Sequence, residues 1–360
     1  MKGAVLFTSP GKLEIEELAL DSVRESEVLI RVAATGLCHS DLHHMDRATP
    51  DWTPAVLGHE GAGVVEAVGS AVDYVKPGDH VITFPSGFCG SCDYCLSGRP
   101  TLCPRRGMVR ADGTPRIRRT SGEPVRQFAS LGTFAEQMLV HEHHVVKVRD
   151  DIPFDRAALV GCAVPTGLGA VLRTAKVPAG ADVAIVGCGG IGLNVVQGAV
   201  LAGANHIIAI DINDGKLALA KSFGATHLIN SASGDVHEQL DAVLPGRGGV
   251  DYAFEAAGTT ETFQLCFSLL REGGTATMIG VPSGDMTIPA APIVRERKIQ
   301  GSAMGSVQFR KDLPYFLDLY LDGRLKLDEL VSNRIRLDEI NEGFAAITDG
   351  SIARSVVVFD

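Results

Sequence analysis

Asp182-Val183-Ala184-Ile185-Val186-Gly187-Cys188-Gly189-Gly190-Ile191-Gly192 decides the fold of this chain. A short run rich in β-branched residues passes straight into the pattern Gly187-x-Gly189-Gly190-x-Gly192, which reads as a buried strand, a tight turn and the opening of a helix. Gly187 permits the turn, Gly189 lets the backbone approach a pyrophosphate, and Gly192 lets the helix pack against its sheet. Gly190 and Ile191 begin that helix, expected over residues 191–201, whose free N–H groups and positive dipole end would face phosphates. Asp211 ends the next strand, 19 residues after Gly192. A carboxylate there accepts hydrogen bonds from both ribose hydroxyls and repels a 2′-phosphate, so NAD is expected rather than NADP. Lys216 follows, positioned to help hold the ribose.

Outward from this turn the pattern repeats. Strands are expected at 206–210, 227–229, 251–254 and 275–279, with helices over 216–223 and 262–270. Alternating units of this kind predict an α/β, doubly wound parallel sheet spanning residues 164–303. Residues 1–163 carry short β-like runs, such as 28–32, 63–68 and 80–84, broken by glycine and proline, and read as a separate strand-rich domain. The arginine-rich stretch 99–131 reads as a long surface loop. Residues 304–360, with an amphipathic helix at 313–321 and a last strand at 355–359, are expected to return to the first domain.

At 360 residues the length favours two domains, and 45% hydrophobic with 21% charged residues is an ordinary globular balance. A net charge of −10 argues against general nucleic-acid or anionic-membrane binding, and a solvated loop accounts better for the arginines than an RNA surface. The opening residues read as a strand and not as a signal peptide, and no apolar stretch is long enough to span a bilayer, so a cytoplasmic enzyme is expected.

In a reducing compartment the 8 cysteines point to metal ligation before disulfides. Cys89, Cys92, Cys95 and Cys103 follow C-x2-C-x2-C-x7-C, enough thiolates for a closed tetrahedral zinc site in a lobe at about 86–106. Iron is the rival, but bacterial ferredoxin runs place their last cysteine closer and this chain has no second cluster motif. Cys38, His59 and Cys162 would supply a three-ligand site with one position open, the arrangement that does chemistry. Cys188 and Cys266 read as packing residues.

Cys38-His39-Ser40-Asp41, Gly58-His59-Glu60-Gly61-Ala62-Gly63, the four-cysteine lobe, Gly161-Cys162 and the glycine turn with Asp211 together resemble the zinc-dependent, medium-chain alcohol dehydrogenases over essentially the whole chain. The long segment before Phe134 is similar to the dimeric animal and plant branch. The resemblance implies a GroES-like catalytic domain beside a Rossmann-type NAD domain, two zinc ions per chain, and a homodimer formed by strands near 298–304. It implies that Cys38, His59 and Cys162 hold the catalytic zinc, that Ser40 takes the substrate proton and that His43 releases it near solvent. Asp41 would hold the second ring nitrogen of His59, and Glu60 would sit behind the metal. His39 and Arg354 match positions that contact the cofactor pyrophosphate; many relatives carry arginine at the first, so cofactor release is expected to be faster and pH-dependent here. Trp52 and Pro85 fall in segments that line the substrate cleft.

The activity expected is reversible NAD-linked oxidation of primary alcohols, aromatic or terpenoid ones included, to aldehydes. S-(hydroxymethyl)glutathione is the nearest rival substrate; that branch grips the glutathione amine with acidic residues, where this chain has Arg47 and Thr49. Secondary alcohols and polyols come next. A non-catalytic zinc protein sensing NADH is the reading from another class, and it would have no use for Ser40 and His43 beside a three-ligand metal site.

Overall fold

The computed structural model describes residues 1–46, 52–348 and 354–359. It divides into two compact units, Met1–Cys162 with Gln308–Asp360, and Ala163–Val307. The return to the first unit thus falls at Gln308 and not at residue 304. The turn Met304–Ser306 stays with the second unit because Gly305 packs directly on Pro165 and Gly169, where a Cβ would come within 2.1 Å of the Pro165 carbonyl oxygen.

The second unit is built on a six-stranded sheet in the order His227–Asn230, His206–Asp211, Asp182–Val186, Val250–Glu255, Leu270–Met278, Lys298–Gly301. Every pairing is parallel. The strand Asp182–Val186 is buried along its whole length, as a strand covered on both faces must be. Ala184, Val186, Ile208, Ile210, Phe263 and Phe267 form part of its core. The helix expected at 262–270 runs from Thr260 to Ser268, opened by a capping box between Thr259 and Thr262. Leu270 already starts the next strand.

In the first unit, a closed barrel joins Lys2–Leu6, Leu13–Leu20, Ile117–Arg119, Pro124–Gln127 and Ala55–Val56. Beside it lies a seven-stranded sheet around Glu27–Gly36, which pairs with Glu60–Val68, Gln137–His141 and the final strand Ser355–Val358.

The barrel corrects the reading of 99–131 as a surface loop. Ile117 and Val125 are buried anchors of a hairpin that closes the barrel. Two of its arginines are buried partners and not solvated charges. Arg110 donates to both Glu27 oxygens, at 2.8 and 2.6 Å, and Arg116 donates to Glu27 Oε1 at 2.7 Å. Burial raises the cost of ionising Glu27, yet the two guanidiniums hold its carboxyl down at about 2.

Candidate metal and nucleotide sites

The four-cysteine lobe has little core of its own: its helical turn Asp93–Leu96 contains no buried residue, and the turn Pro100–Leu102 contributes only Thr101. Its sulfurs nonetheless converge. Cys89 and Cys95 Sγ lie 3.9 Å apart, Cys92 and Cys95 3.5 Å, and Cys92 and Cys103 3.9 Å. Four sulfurs about 2.3 Å from one ion in a tetrahedron stand roughly 3.8 Å from each other, so the donor set fits zinc. All eight cysteines are free thiols, which removes the disulfide alternative. Arg105 donates to Cys89 Sγ at 3.2 Å and to Ser91 Oγ at 2.9 Å, adding positive charge to the all-thiolate cluster.

The second cluster is assembled from three separate loops. Cys38 follows the strand Glu27–Gly36 and precedes the helix His39–Asp46. His59 stands between Gly58 and the strand Glu60–Val68. Gly58 has φ +86°, and a Cβ there would meet Thr133 Oγ1 at 2.4 Å and the Phe134 ring at 2.6 Å, so the histidine is aimed by a turn that only glycine fits. Cys162 follows Gly161, whose missing side chain lets the backbone sit against Thr83 and Glu60. One donor atom each from Cys38, His59, Glu60 and Cys162 lies within 4.8 Å of all the others, and all four residues are buried. Two sulfurs bonding a single ion at about 2.3 Å each need a separation under roughly 5 Å, and this one meets it.

Asp41, fully buried, ties the loops together. Its Oδ1 accepts from Gly58 N at 2.9 Å and lies 3.2 Å from His59 Nδ1, while Oδ2 accepts from Cys38 N at 3.3 Å. With Nδ1 turned to Asp41, Nε2 is the ring nitrogen left for an ion. The Cys162–Cys38 hydrogen bond pulls the Cys38 thiol well below its usual range and pushes Cys162 up. Burial raises the Glu60 carboxyl to about 7 against the opposing pull of Arg354.

Arg354 is buried and ion-paired with Glu60, so it is not the solvated surface arginine that exposed charge usually makes. Ser40 is half-buried with Oγ 3.7 Å from Cys38 Sγ, and His39 and His43 sit on the exposed side of their helix. Pro85 is half-buried. Arg47 and Thr49 lie outside the described residues.

Sequence reading named Trp52 as a cleft candidate but missed the rings gathered with it, Phe128 above all, beside His59. Trp52 stacks on His44 with ring centroids 4.6 Å apart, and Phe128 lies edge-on to both Trp52 and His59 at 5.7 and 5.3 Å. Phe128 comes from the stretch read as loop. No local pattern links it to His59; only its aromatic character in a polar segment was visible.

In the second unit, Gly187 has φ +92°, and a Cβ there would meet Ala257 N at 2.7 Å. A Cβ at Gly192 would lie 1.8 Å from the Gly187 carbonyl, so the turn and helix close only with glycine. At Gly189, by contrast, nothing lies within 4 Å of that position, leaving a cradle at the N-terminus of the helix Gly190–Ala202. Asp211, at the end of its strand, accepts from Cys188 N at 2.7 Å and from Asn213 N at 3.0 Å. This couples the carboxylate to the glycine turn. Lys216 is half-buried in the first turn of the helix Asp214–Ser222. An open cradle, free helix N–H groups and a carboxylate beside them fit a dinucleotide.

Comparison with known proteins agrees with these two donor sets. The family profile "Alcohol dehydrogenase GroES-like domain" matches residues 24–150, and "Zinc-binding dehydrogenase" matches residues 190–322. An S-(hydroxymethyl)glutathione dehydrogenase of Paracoccus denitrificans is 38% identical, with 99% of each chain covered. A solved zinc-binding-domain alcohol dehydrogenase from Burkholderia ambifaria superposes with TM-score 0.95 at 35% identity, covering 100% of this chain and 98% of that one. The benzyl alcohol dehydrogenase of Acinetobacter calcoaceticus does so with TM-score 0.94 at 31% identity, covering 100% and 99%. With two zinc-fitting donor sets and a nucleotide turn already in place, the chain belongs to the zinc-dependent, medium-chain alcohol dehydrogenases, a family that typically uses NAD.

Proposed function

We propose that this protein oxidises a primary carbinol to an aldehyde, reversibly, at the buried Cys38–His59–Cys162 site. Zinc, when bound there, would supply the Lewis acidity that lowers the pKa of the alcohol, and NAD would be the hydride acceptor. Cys38, His59 and Cys162 hold the ion, and Asp41 fixes the tautomer and orientation of His59. Ser40, beside Cys38, accepts the hydroxyl proton, and His43 on the exposed face of the same helix delivers it to solvent. Glu60 and Arg354 form the floor behind the metal, Arg354 and His39 being the candidates for the cofactor pyrophosphate. Gly187, Gly189, Gly190, Ile191 and Gly192 cradle it, and Asp211 with Lys216 binds the ribose. The observation that carries this reading is the convergence of Cys38, His59 and Cys162 donors within 4.8 Å on an Asp41-braced histidine.

The relatives move the substrate expectation. The Paracoccus relative, an S-(hydroxymethyl)glutathione dehydrogenase, favours S-(hydroxymethyl)glutathione, the nearest rival substrate by sequence. A specific observation favours the other reading: Phe128 stands edge-on to His59 and is backed by the Trp52 and His44 rings, an aromatic cluster suited to an aromatic alcohol, and the Acinetobacter neighbour is named for one. NAD reduction measured with formaldehyde plus glutathione, benzyl alcohol, ethanol and sorbitol, on protein of known zinc content, separates them. Comparable turnover of sorbitol alone would sink both, and no turnover of any alcohol by the zinc-loaded protein would sink the dehydrogenase reading.

We also propose a homodimer paired through the edge strand Lys298–Gly301, beside which Val281 and Val294 are exposed at 68% and 86%. Sedimentation as a monomer at micromolar concentration would refute it.

A further inference from the structure

The parallel sheet of the second unit contains a carboxylate that the proposed chemistry does not use. Glu255 ends the strand Val250–Glu255 and is 0% exposed. Its Oε1 accepts from Ala257 N at 2.8 Å, Gly258 N at 2.6 Å and Thr262 Oγ1 at 2.7 Å, and its Oε2 accepts from Gly280 N at 3.2 Å. A buried acid on four donors, three of them backbone, is costly unless every one is used.

Ala257 and Gly258 follow Glu255's own strand, Thr262 lies in the first turn of the helix Thr260–Ser268, and Gly280 follows the neighbouring strand Leu270–Met278. Glu255 pairs in register with Val186, just before the glycine turn, and with Met278, just before Gly280. The loops touch at backbone level: a Cβ at Gly187 would meet Ala257 N at 2.7 Å, and one at Gly280 would meet Gly258 Cα at 2.5 Å. The strand order reverses between Asp182–Val186 and Val250–Glu255, and at such a reversal a ligand binds beyond the carboxyl ends of the strands.

We propose that Glu255 is a positioning residue for the dinucleotide: its carboxylate locks the 256–258 and 280–281 loops against the glycine turn, setting the width of the cofactor crevice. This rests on the NAD reading above. Glu255→Gln isolates the effect, because the amide oxygen can still serve the three Oε1 donors while its NH2 group faces the Gly280 N–H, donor against donor. The loop after Met278 then loses its side-chain tie and keeps only the main-chain bonds from Ile279 N at 3.0 Å and Gly280 N at 3.3 Å to the Glu255 carbonyl, while the 256–258 turn is kept whole.

The test titrates NADH by fluorescence and measures NAD kinetics and melting temperature for the wild-type holoenzyme, Glu255→Gln and Asp182→Asn. Asp182 is the control: it is equally buried, lies at the opposite end of the same sheet, and is bonded to Arg247 at 2.8 Å and His206 at 2.7 Å. Glu255→Gln is expected to weaken NADH about tenfold and raise the KM for NAD in proportion, with kcat at saturating NAD within about twofold. Asp182→Asn is expected to lower the melting temperature and leave NADH affinity unchanged. Glu255→Asp keeps the charge but shortens the reach, and is expected to weaken NADH in the same direction; it replaces Glu255→Gln if that variant does not fold. Unchanged NADH affinity in the Glu255 variants, or an equal loss in Asp182→Asn, overturns the proposal. Wild-type protein that fails to bind NADH overturns the NAD reading on which it stands.

Discussion

The four-cysteine lobe draws its donors from residues 89–103, three of them half-exposed and Cys103 buried, on a segment with little core, whereas the Cys38–His59–Cys162 site gathers buried donors from three distant loops. In the lobe, an ion would be most of the core: beyond buried Cys103, and Phe88 packed on His143 and Phe309, little apolar surface holds the four sulfurs together. In the buried site the fold comes first, since Gly58, Gly161 and Asp41 orient the donors through protein contacts alone. The same metal is therefore expected to act as a structural staple in one place and a replaceable reagent in the other.

The sharpest way to break this comparison is Cys162→Ser. Loss of one buried donor is expected to cut kcat/KM about 10³-fold and halve the zinc content, with the melting temperature nearly unchanged. A large drop in melting temperature would mean that the fold depends on this ion too. Cys95→Ser should do the reverse, losing one zinc with on the order of several kcal/mol of stability, while protein that stays folded keeps most of its turnover.

Glu27 sharpens the question of what anchors the lobe besides metal. It binds Arg110 and Arg116, just downstream of Cys103, and Arg116 also donates to Met108 O at 2.8 Å. Its carboxyl lies at about 2 in the fold against 4.5 for the free side chain. Between those values the unfolded chain takes up a proton that the folded one refuses. The stabilisation, on the order of 3 kcal/mol, is thus complete above about pH 5 and lost as pH falls towards 2. In denaturant titrations, the gap between wild type and Glu27→Gln should narrow from pH 6 to pH 3; a constant gap would assign the effect to packing. The smallest effect belongs to Asp41→Asn, which keeps the shape but loosens His59. Zinc affinity or activity should fall about 10- to 100-fold at the buried site only. Equal loss at the lobe would deny the two sites their independence.

Legibility followed the range of the interactions. The lobe was readable because its ligands are separated by two to seven residues, and the glycine turn because each glycine answers a local steric demand. The lobe's four donors and the parallel sheet could be named from spacing and rhythm, whereas Cys38, His59 and Cys162, far apart in sequence, were singled out by their local motifs and the family resemblance. The barrel hairpin within 99–131 could not, since one apolar anchor per strand, Ile117 and Val125, sits among arginines with no alternating pattern. Those arginines looked solvated because their partner, Glu27, lies 83 and 89 residues away. Phe128 escaped for the same reason.

The lobe's donors, the glycine positions and the strand–helix rhythm were written into the order of residues, because each depends on chemistry within a short stretch of chain. Which arginine is buried, which rings stand beside His59 and what Glu255 clamps emerged only on folding. Those roles depend on burial and on neighbours remote in sequence, and linear spacing records neither.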